Sequence, residues 1–360
     1  LVDLSAVDTE DKKAFRVLTR GLLTGVFQLD TPLGYRLCEG FKFESFADIS
    51  AMIAISRPGV SHSGLAEEYL KRKVSPHARR VLHPVVDNIC ADTAGVMIFQ
   101  EHLMKILASV AGYDPVRVNA VRKMVGKKAG KEHVRVEMEH FIEEATQRDF
   151  PESVARTLAE QMTHAGAYVF CRAHAVPYAL IAYWDAWLKA YYPIEFMWGL
   201  LCNSKSDEDR VRYVKEAARL KIPILPPSVN VAGAEWRLTK EGLVMSLQDL
   251  KGIGPAGVSA IEAGRPYIDF VDFMGRVDRR RCSKKAVKIL LCTGALDGLV
   301  PNPAWLDENL DEVWGMAGKK GWAEAVAAVL AESATFPRWD DRAFAEKSRP
   351  YSPIDINRSA

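Results

Sequence analysis

Two stretches of this sequence concentrate positive charge beyond what a solvated surface needs. Between Arg117 and Arg135 lie Arg117, Arg122, Lys123, Lys127, Lys128, Lys131 and Arg135, seven bases against one acid, Glu132. Between Arg276 and Lys288 lie Arg276, Arg279, Arg280, Arg281, Lys284, Lys285 and Lys288, again seven against one, Asp278. Solvated helix faces interleave both signs, so blocks of one sign point to an external polyanion: nucleic acid or the phosphates of a nucleotide. A merely soluble surface is the alternative for either block alone. In the run Arg122-Lys-Met-Val-Gly-Lys-Lys128, Gly126 can end a helix in the left-handed conformation. That would throw Lys127 and Lys128 beside Arg122 and gather cations for a triphosphate; equally, the glycine is only a helix stop.

Leu250-Lys-Gly-Ile-Gly-Pro-Ala-Gly257 is the most specific local signal. Gly252 and Gly254 permit close backbone approach, and Pro255 suits the first position of a helix whose N-terminus offers N–H groups to a phosphate. With Val258 and Ile261 as the packing face, the segment looks like the hairpin of a helix-hairpin-helix module, which grips the DNA backbone without reading sequence. The same residues match a dinucleotide fingerprint, but the helix can run only to about Ala263 before Gly264-Arg-Pro266, and the flanking strands of a βαβ unit are missing. A simple tight turn is the remaining alternative. No phosphate-binding P-loop, zinc-protease pair or nucleophile elbow is present. The acidic pairs Glu67-Glu68, Glu143-Glu144 and Asp340-Asp341 are adjacent residues that point apart on a helix, so they read as solvated surface rather than a two-metal site. The chain offers phosphate binding without a reactive centre.

The elements that must position these groups read mainly as helix. The chain has 360 residues, 48% hydrophobic and 26% charged, with 48 basic against 46 acidic residues, which suits two or three globular domains and excludes wholesale disorder. Six cysteines without paired spacing read as reduced thiols of a cytoplasmic protein, and no uncharged run is long enough to span a membrane. The chain starts with Leu1 rather than Met, as for a processed chain or the downstream part of something longer. Periodicity predicts helices over Asp11–Leu23, Phe46–Ile55, Gly95–Ala111, Ser153–His164 and Ala175–Asn203, the last broken at Pro193. Beyond Lys221, the prolines of Ile222–Pro227 enforce extended backbone. Two strand-like runs, Glu235–Thr239 and Leu243–Leu247, are joined by a turn at Lys240-Glu-Gly242. A compact helical unit spans Gln248–Leu299, and after Pro301 one helix is expected at Trp322–Glu332, with the last twenty or so residues loosely structured.

The order of motifs resembles the bacterial DNA polymerase III α subunit family, the C-family replicative polymerases. Gly25-Val-Phe-Gln-Leu29, Ser56-Arg-Pro-Gly59 with Ser63-Gly64, Phe99-Gln-Glu101 and Arg122–Lys128 are similar to its fingers region, in that order. Tyr178-Ala-Leu180, Leu188-Lys-Ala190, Tyr192-Pro193 with Glu195-Phe-Met197, Ile224-Leu-Pro-Pro227 with Val229-Asn230, Lys251-Gly-Ile-Gly254 and Gly294-Ala-Leu-Asp297 continue it. The resemblance covers residues 10 to 299. It implies a mainly α fold: a polymerase fingers domain over 1–225, a β-hairpin plus helix-hairpin-helix DNA-binding domain over 226–299, and a tail with one helix over 300–360.

Carried over residue by residue, the resemblance implies that Arg57, Arg122, Lys123, Lys127, Lys128, Arg172 and His174 meet the phosphates of an incoming dNTP or the template-primer DNA. Lys123 stands where the family has a second arginine, which keeps the charge and loses the bidentate fork. Cys171-Arg-Ala-His-Ala175 lacks both serines of the matching family element. Lys251, Gly252, Ile253, Gly254 and Gly257, with Arg279, Arg280 and Arg281, would hold duplex DNA. The family's metal-binding aspartates and its phosphoesterase-like domain lie upstream of everything matched, so the catalytic Mg2+ is expected to be held by a palm segment outside this chain. No catalytic or metal-binding residue is assigned here, and no clamp-binding peptide is found in the tail. The expectation is therefore the fingers and DNA-binding portion of a DNA-directed DNA polymerase, a nucleotidyltransferase inactive as the isolated chain. It would work with the palm segment and other replisome subunits. A non-catalytic, sequence-independent DNA-binding module is the alternative.

Overall fold

Helix starts in this protein are set by capping side chains placed just ahead of apolar runs. In the first unit, Asp11 opens α1 (Lys12–Thr19) by accepting the N–H groups of Lys13 and Ala14, and Thr31 opens α2 (Pro32–Cys38) through Gly34. Helix α3 occupies the expected span, Phe46–Ile55, and is buried from Asp48 onward. The buried Asp48 carboxylate takes the Glu44 and Ser45 N–H groups, the Tyr69 hydroxyl and the Lys73 ammonium. Then follow α4 (Leu65–Val74), α5 (Pro84–Ile89), α6 (Gln100–Ala111), α7 (Pro115–Gly126), α8 (Lys131–Thr146), α9 (Glu152–Ala165) and α10 (Arg172–Tyr191). The computed structural model of the chain describes residues 2–57, 60, 63–75, 82–126, 131–165, 168–352 and 354.

Three boundaries in this unit differ from expectation: α1 ends at Thr19 rather than Leu23, ahead of Gly21 at φ 66°, and two others differ for tertiary reasons. Helix α6 begins at Gln100, not Gly95, because Phe99 is drawn into an isolated parallel bridge with Phe170; it ends, as expected, at a left-handed Gly112, φ 72°. Helix α10 begins at Arg172, ahead of Pro177, because Glu101 accepts the Arg172 N–H at 2.9 Å and caps it from 71 residues away in sequence. Gly126 is the last residue of α7 itself, so the helix does not stop before it. Helices α6 to α9 share one core around Phe141, Ile106 and Leu158. Helices α1 and α3 pack along α10, where the fully buried Tyr183 meets Phe15 and Phe46 and donates its hydroxyl to Asp8 O.

Contacts divide the chain into Leu1–Tyr191 and Tyr192–Ala360. The division falls at the Pro193 break rather than near residue 225, because α11 (Pro193–Cys202) and α12 (Asp207–Arg219) send Met197, Leu201 and Ala217 into the core of the second unit. That unit carries a small sheet of β1 (Ile224–Leu225), β2 (Arg237–Leu238) and β3 (Leu243–Val244) in the order β1-β3-β2. The β2–β3 pair is antiparallel through the expected Lys240-Glu-Gly242 turn, with Gly242 at φ 150°. The proline-enforced extended segment supplies β1, parallel to β3. Pro255 heads α13 (Pro255–Ala263), which stops where expected; α14 (Phe270–Arg276) and α15 (Lys284–Cys292) complete the helical unit.

The tail carries two helices beyond the one expected, the second reaching into the segment expected to be loose, of which residues 353 and 355–360 lie outside the described residues. It forms α16 (Pro303–Met316), α17 (Trp322–Ser333) and α18 (Asp341–Ser348). Asn302 caps α16 through Trp305, and Asp340 caps α18 through Ala343. Leu306, Leu310 and Val313, Leu330, and Phe344 join the same core as α13–α15. Dense charge on the exposed faces hid the short apolar stripes of α16 and α18 from a periodicity reading; α17 lies where its helix was expected. The mainly α class stands.

Candidate nucleotide and nucleic-acid interface

In the first unit, the Phe99–Phe170 bridge gathers side chains from five segments. Arg57 lies over the Phe170 ring at 4.1 Å and donates from Nε to Ala54 O and from Nη2 to Tyr168 O, both 2.9 Å. Arg122, from α7, donates to the Gln100 amide oxygen at 2.9 Å and to Asn119 Oδ1; Gln100 N–H in turn bonds Phe170 O. Both guanidinium groups are thus fixed by neutral oxygens, and among the described residues neither has a carboxylate partner. Burial pushes the Arg57 pKa down, yet guanidinium stays charged at neutral pH.

Arg172 sits on the same bridge, over the Phe99 ring at 4.5 Å, but it is compensated. Its Nη1 pairs with Asp92 at 2.7 Å and its Nη2 meets His102 Nε2 at 2.6 Å. Burial resists the ionisation of Asp92, but the hydrogen bonds from His102 and Arg172 prevail and hold its carboxyl down, to about 2. Three guanidinium groups therefore share this junction with two carboxylates, Asp92 and Glu101. Lys123 is solvent-exposed one residue beyond Arg122, while Lys127 and Lys128 lie outside the described residues. Elsewhere in the same basic window, Arg117 is neutralised by Glu137 and Glu144, and Arg135 by Glu132.

His174 is exposed beside this junction and begins a row of rings: Phe170–His174 at 5.4 Å, His174–Tyr178 at 4.2 Å, Tyr178–Phe27 at 5.2 Å. Phe27 comes from the Gly25–Leu29 loop, in which Gln28 adopts φ 63°. That loop is fastened to α10 by two residues one turn apart. The Lys189 ammonium, 2% exposed, donates to Leu22 O and Thr24 O at 2.9 Å, and the Asp185 carboxylate accepts the Phe27 N–H at 2.9 Å. Burial raises the Asp185 pKa to about 6, against the lowering pull of the Phe27 N–H and Lys189. Sequence reasoning assigned no role to Phe27, Asp185 or Lys189. The signal was an acid and a base four residues apart inside the most apolar stretch of the chain.

In the second unit, Gly252, at φ 104°, and Gly254 expose bare backbone ahead of α13, whose N-cap Gly254 supplies no side-chain cap. Gly257 is buried, and a Cβ there would stand 3.3 Å from Arg281 O, so the hairpin abuts the Arg279–Arg281 turn. Ile253 is buried as the hairpin's anchor. Lys251 donates its N–H to Tyr351 O, and its ammonium pairs with Asp207 at 3.0 Å. Of the second basic window, Arg276 pairs with Asp272, Arg281 with Asp278, Lys284 with Asp311 and Lys288 with Asp307. Arg279 and Arg280 have no carboxylate partner among the described residues.

The family described as the bacterial DNA polymerase III alpha subunit finger domain matches residues 1–149, and a helix-hairpin-helix motif matches residues 221–305. The DNA polymerase III subunit alpha of Thermus aquaticus is 33% identical over 310 residues, 82% of this chain and 25% of that protein. That of Aquifex aeolicus is 34% identical over 294 residues, 80% and 25%, and that of Mycobacterium tuberculosis 32% over 307 residues, 83% and 26%. The chain belongs to the bacterial DNA polymerase III α family. It spans about a quarter of the length of these relatives and carries the fingers and helix-hairpin-helix region of a polymerase III α chain.

Within this polymerase III α region, no group of three His, Cys, Asp or Glu side chains converges as a metal site among the described residues. The acidic pairs are engaged singly: Glu68 with Arg72, Glu144 with Arg117, and Asp340 as a helix cap. The residues described therefore do not fit a two-metal centre. All six cysteines are free thiols, and burial pushes Cys38, Cys90, Cys282 and Cys292 up to about 12, which leaves them unreactive. No helix among the described residues is long and apolar enough to cross a membrane.

Proposed function

We propose that this chain binds the triphosphate of an incoming dNTP at the Phe99–Phe170 junction and the template-primer duplex at the 252–257 hairpin, as the fingers and DNA-binding part of a DNA-directed DNA polymerase. One observation carries the reading: Arg57 and Arg122 are held on either side of one backbone bridge by neutral oxygens. A guanidinium anchored by carbonyls keeps its full charge and a fixed direction, which is what stabilising a developing phosphoryl charge requires. Arg172, balanced by Asp92, orients the start of α10 and the exposed His174 beside it. Lys123, Lys127 and Lys128 would complete the cation set. The row Phe27–Tyr178–His174 offers stacking faces for a base. The chain's part in catalysis is to bind and align the phosphates for in-line attack. The carboxylates and their Mg2+ would be supplied by a palm segment on other polypeptide, in a cytoplasmic replication assembly.

Primer extension is the test, with the chain combined with the polypeptide that bears the palm carboxylates. The chain by itself gives no extension. In the combination, Arg122→Gln or Arg57→Gln raises the KM for dNTP about tenfold, a loss of about 1.4 kcal/mol. A KM unchanged by both substitutions overturns the assignment. The second reading, a non-catalytic module that holds duplex DNA, is favoured by the intact hairpin geometry alone. It predicts duplex binding that falls with salt and is indifferent to added nucleotide.

A further inference from the structure

A cavity of about 380 Å³ opens in the second unit between the C-terminal end of α14 and the 317–321 connection that leads into α17. Its walls include Gly275, Asp278, Arg279, Arg280, Gly318 and the Trp322 indole. Two glycines border it. A Cβ at Gly275 would stand 3.7 Å from Trp322 Cζ2, and one at Gly318 would stand 3.4 Å from Arg279 Nη2. Arg279 folds across the Trp314 ring at 5.6 Å, so its guanidinium is held at the cavity edge by stacking rather than by an acid. Asp278 is already engaged by Arg281 and by the Arg280 N–H. Lys319 and Lys320, exposed on the same connection, are likewise without carboxylate partners among the described residues. An open space with an indole in its wall and uncompensated guanidinium groups at its edge is complementary to a planar ring that carries a negative charge.

We propose that this cavity receives one nucleotide unit, its base laid against Trp322 and its phosphate met by Arg279 and Arg280. The volume is of the order that takes a small organic ligand rather than a bare phosphate. The site is distinct from the proposed phosphate-binding hairpin: Ala317, Gly318 and Trp322, a third of its lining, lie beyond the 221–305 region matched by the helix-hairpin-helix motif. It assigns the tail a function, to add an unpaired-base pocket beside a surface that takes duplex backbone. The nucleotide has two sources, a single strand of DNA or a free mononucleotide, which share this chemistry.

The full chain is titrated with fluorescein-labelled oligo(dT), with a blunt duplex, and with dTMP as competitor. Trp322→Phe, which preserves packing, and Arg279→Gln, at a half-exposed position, are each compared with the unsubstituted chain after thermal melts establish that they fold. The smaller ring of Trp322→Phe weakens oligo(dT) binding about threefold and leaves duplex binding within about twofold, and Arg279→Gln, whose turn also borders the duplex-binding hairpin, weakens oligo(dT) binding about tenfold and duplex binding by less. Displacement of oligo(dT) by dTMP assigns a free nucleotide as the ligand; oligo(dT) binding that resists dTMP assigns a strand. Oligo(dT) affinity unchanged in both variants, or oligo(dT) and duplex affinities falling in the same ratio, overturns the proposal. Retained oligo(dT) binding in a chain that neither binds duplex nor supports extension would instead overturn the polymerase reading and leave this site standing.

Discussion

On the proposed reading, the two units would hold phosphate by opposite means. In Leu1–Tyr191 the cations are side chains fixed one by one, with Arg57 and Arg122 locked to carbonyl oxygens around a single bridge. In Tyr192–Ala360 the hairpin presents bare glycine backbone, and nearby cations such as Lys251 and Arg281 are balanced by acids. Fixed uncompensated charge suits a compact, highly charged ligand whose position must be exact for chemistry. Exposed N–H groups suit a repeating backbone that must slide. The contrast also separates like-looking arginines: in one basic window Arg117 and Arg135 face carboxylates while Arg122 does not.

The comparison breaks most visibly at Lys189. Its buried ammonium ties Leu22 and Thr24 to α10, so Lys189→Met orphans two carbonyls and frees the Phe27 loop. Stability should fall by about 3 kcal/mol in denaturant titration, and dNTP use should fall with it while duplex binding by the second unit persists. Gly252→Ala strikes the other unit. Its φ of 104° and an approach of 2.7 Å to Ile289 Cδ1 predict a loss of about 1.5 kcal/mol and weaker duplex binding with nucleotide affinity intact. A loss of both functions in either variant would mean the two sites are not separate.

A sharper version lies inside one window. Arg122→Gln lowers nucleotide affinity about tenfold, whereas Arg135→Gln, whose exposed charge is held by Glu132, leaves it within about twofold; equal effects would show that pairing does not decide which cations work. The smallest effect is expected at Asp185. Its folded pKa, near 6, exceeds the unfolded value near 3.8, so its protonated form is favoured in the fold and its contribution is lost as pH rises through about 6. Asp185→Asn keeps an acceptor for the Phe27 N–H. It should raise stability by about 1 kcal/mol above pH 7, with the gain vanishing towards pH 4. Melting curves with a pH-independent difference would exclude this linkage.

Local rules reached far into this chain. The span of α3, the Pro193 break, the stop at Gly112, the β2–β3 turn and the Pro255 helix start are each set within a few residues, by caps, prolines and left-handed glycines, and all were legible in advance. Two of the three tail helices, α16 and α18, were less so, because short apolar stripes under heavy charge acquire meaning only when a neighbouring core is there to cover them. At the site, charge clustering pointed to Arg122, and the family resemblance implied Arg57 and Arg172 beside it. Which of them stays uncompensated depended on Asp92, Gln100 and Tyr168, partners 22 to 111 residues away. Sequence by itself determined the family, the element types and the stock of cations. Only the tertiary structure decided which charges remain unbalanced and that the Gly25–Leu29 loop lies on α10, since electrostatic compensation and the burial of Lys189 are properties of distance, not of order along the chain.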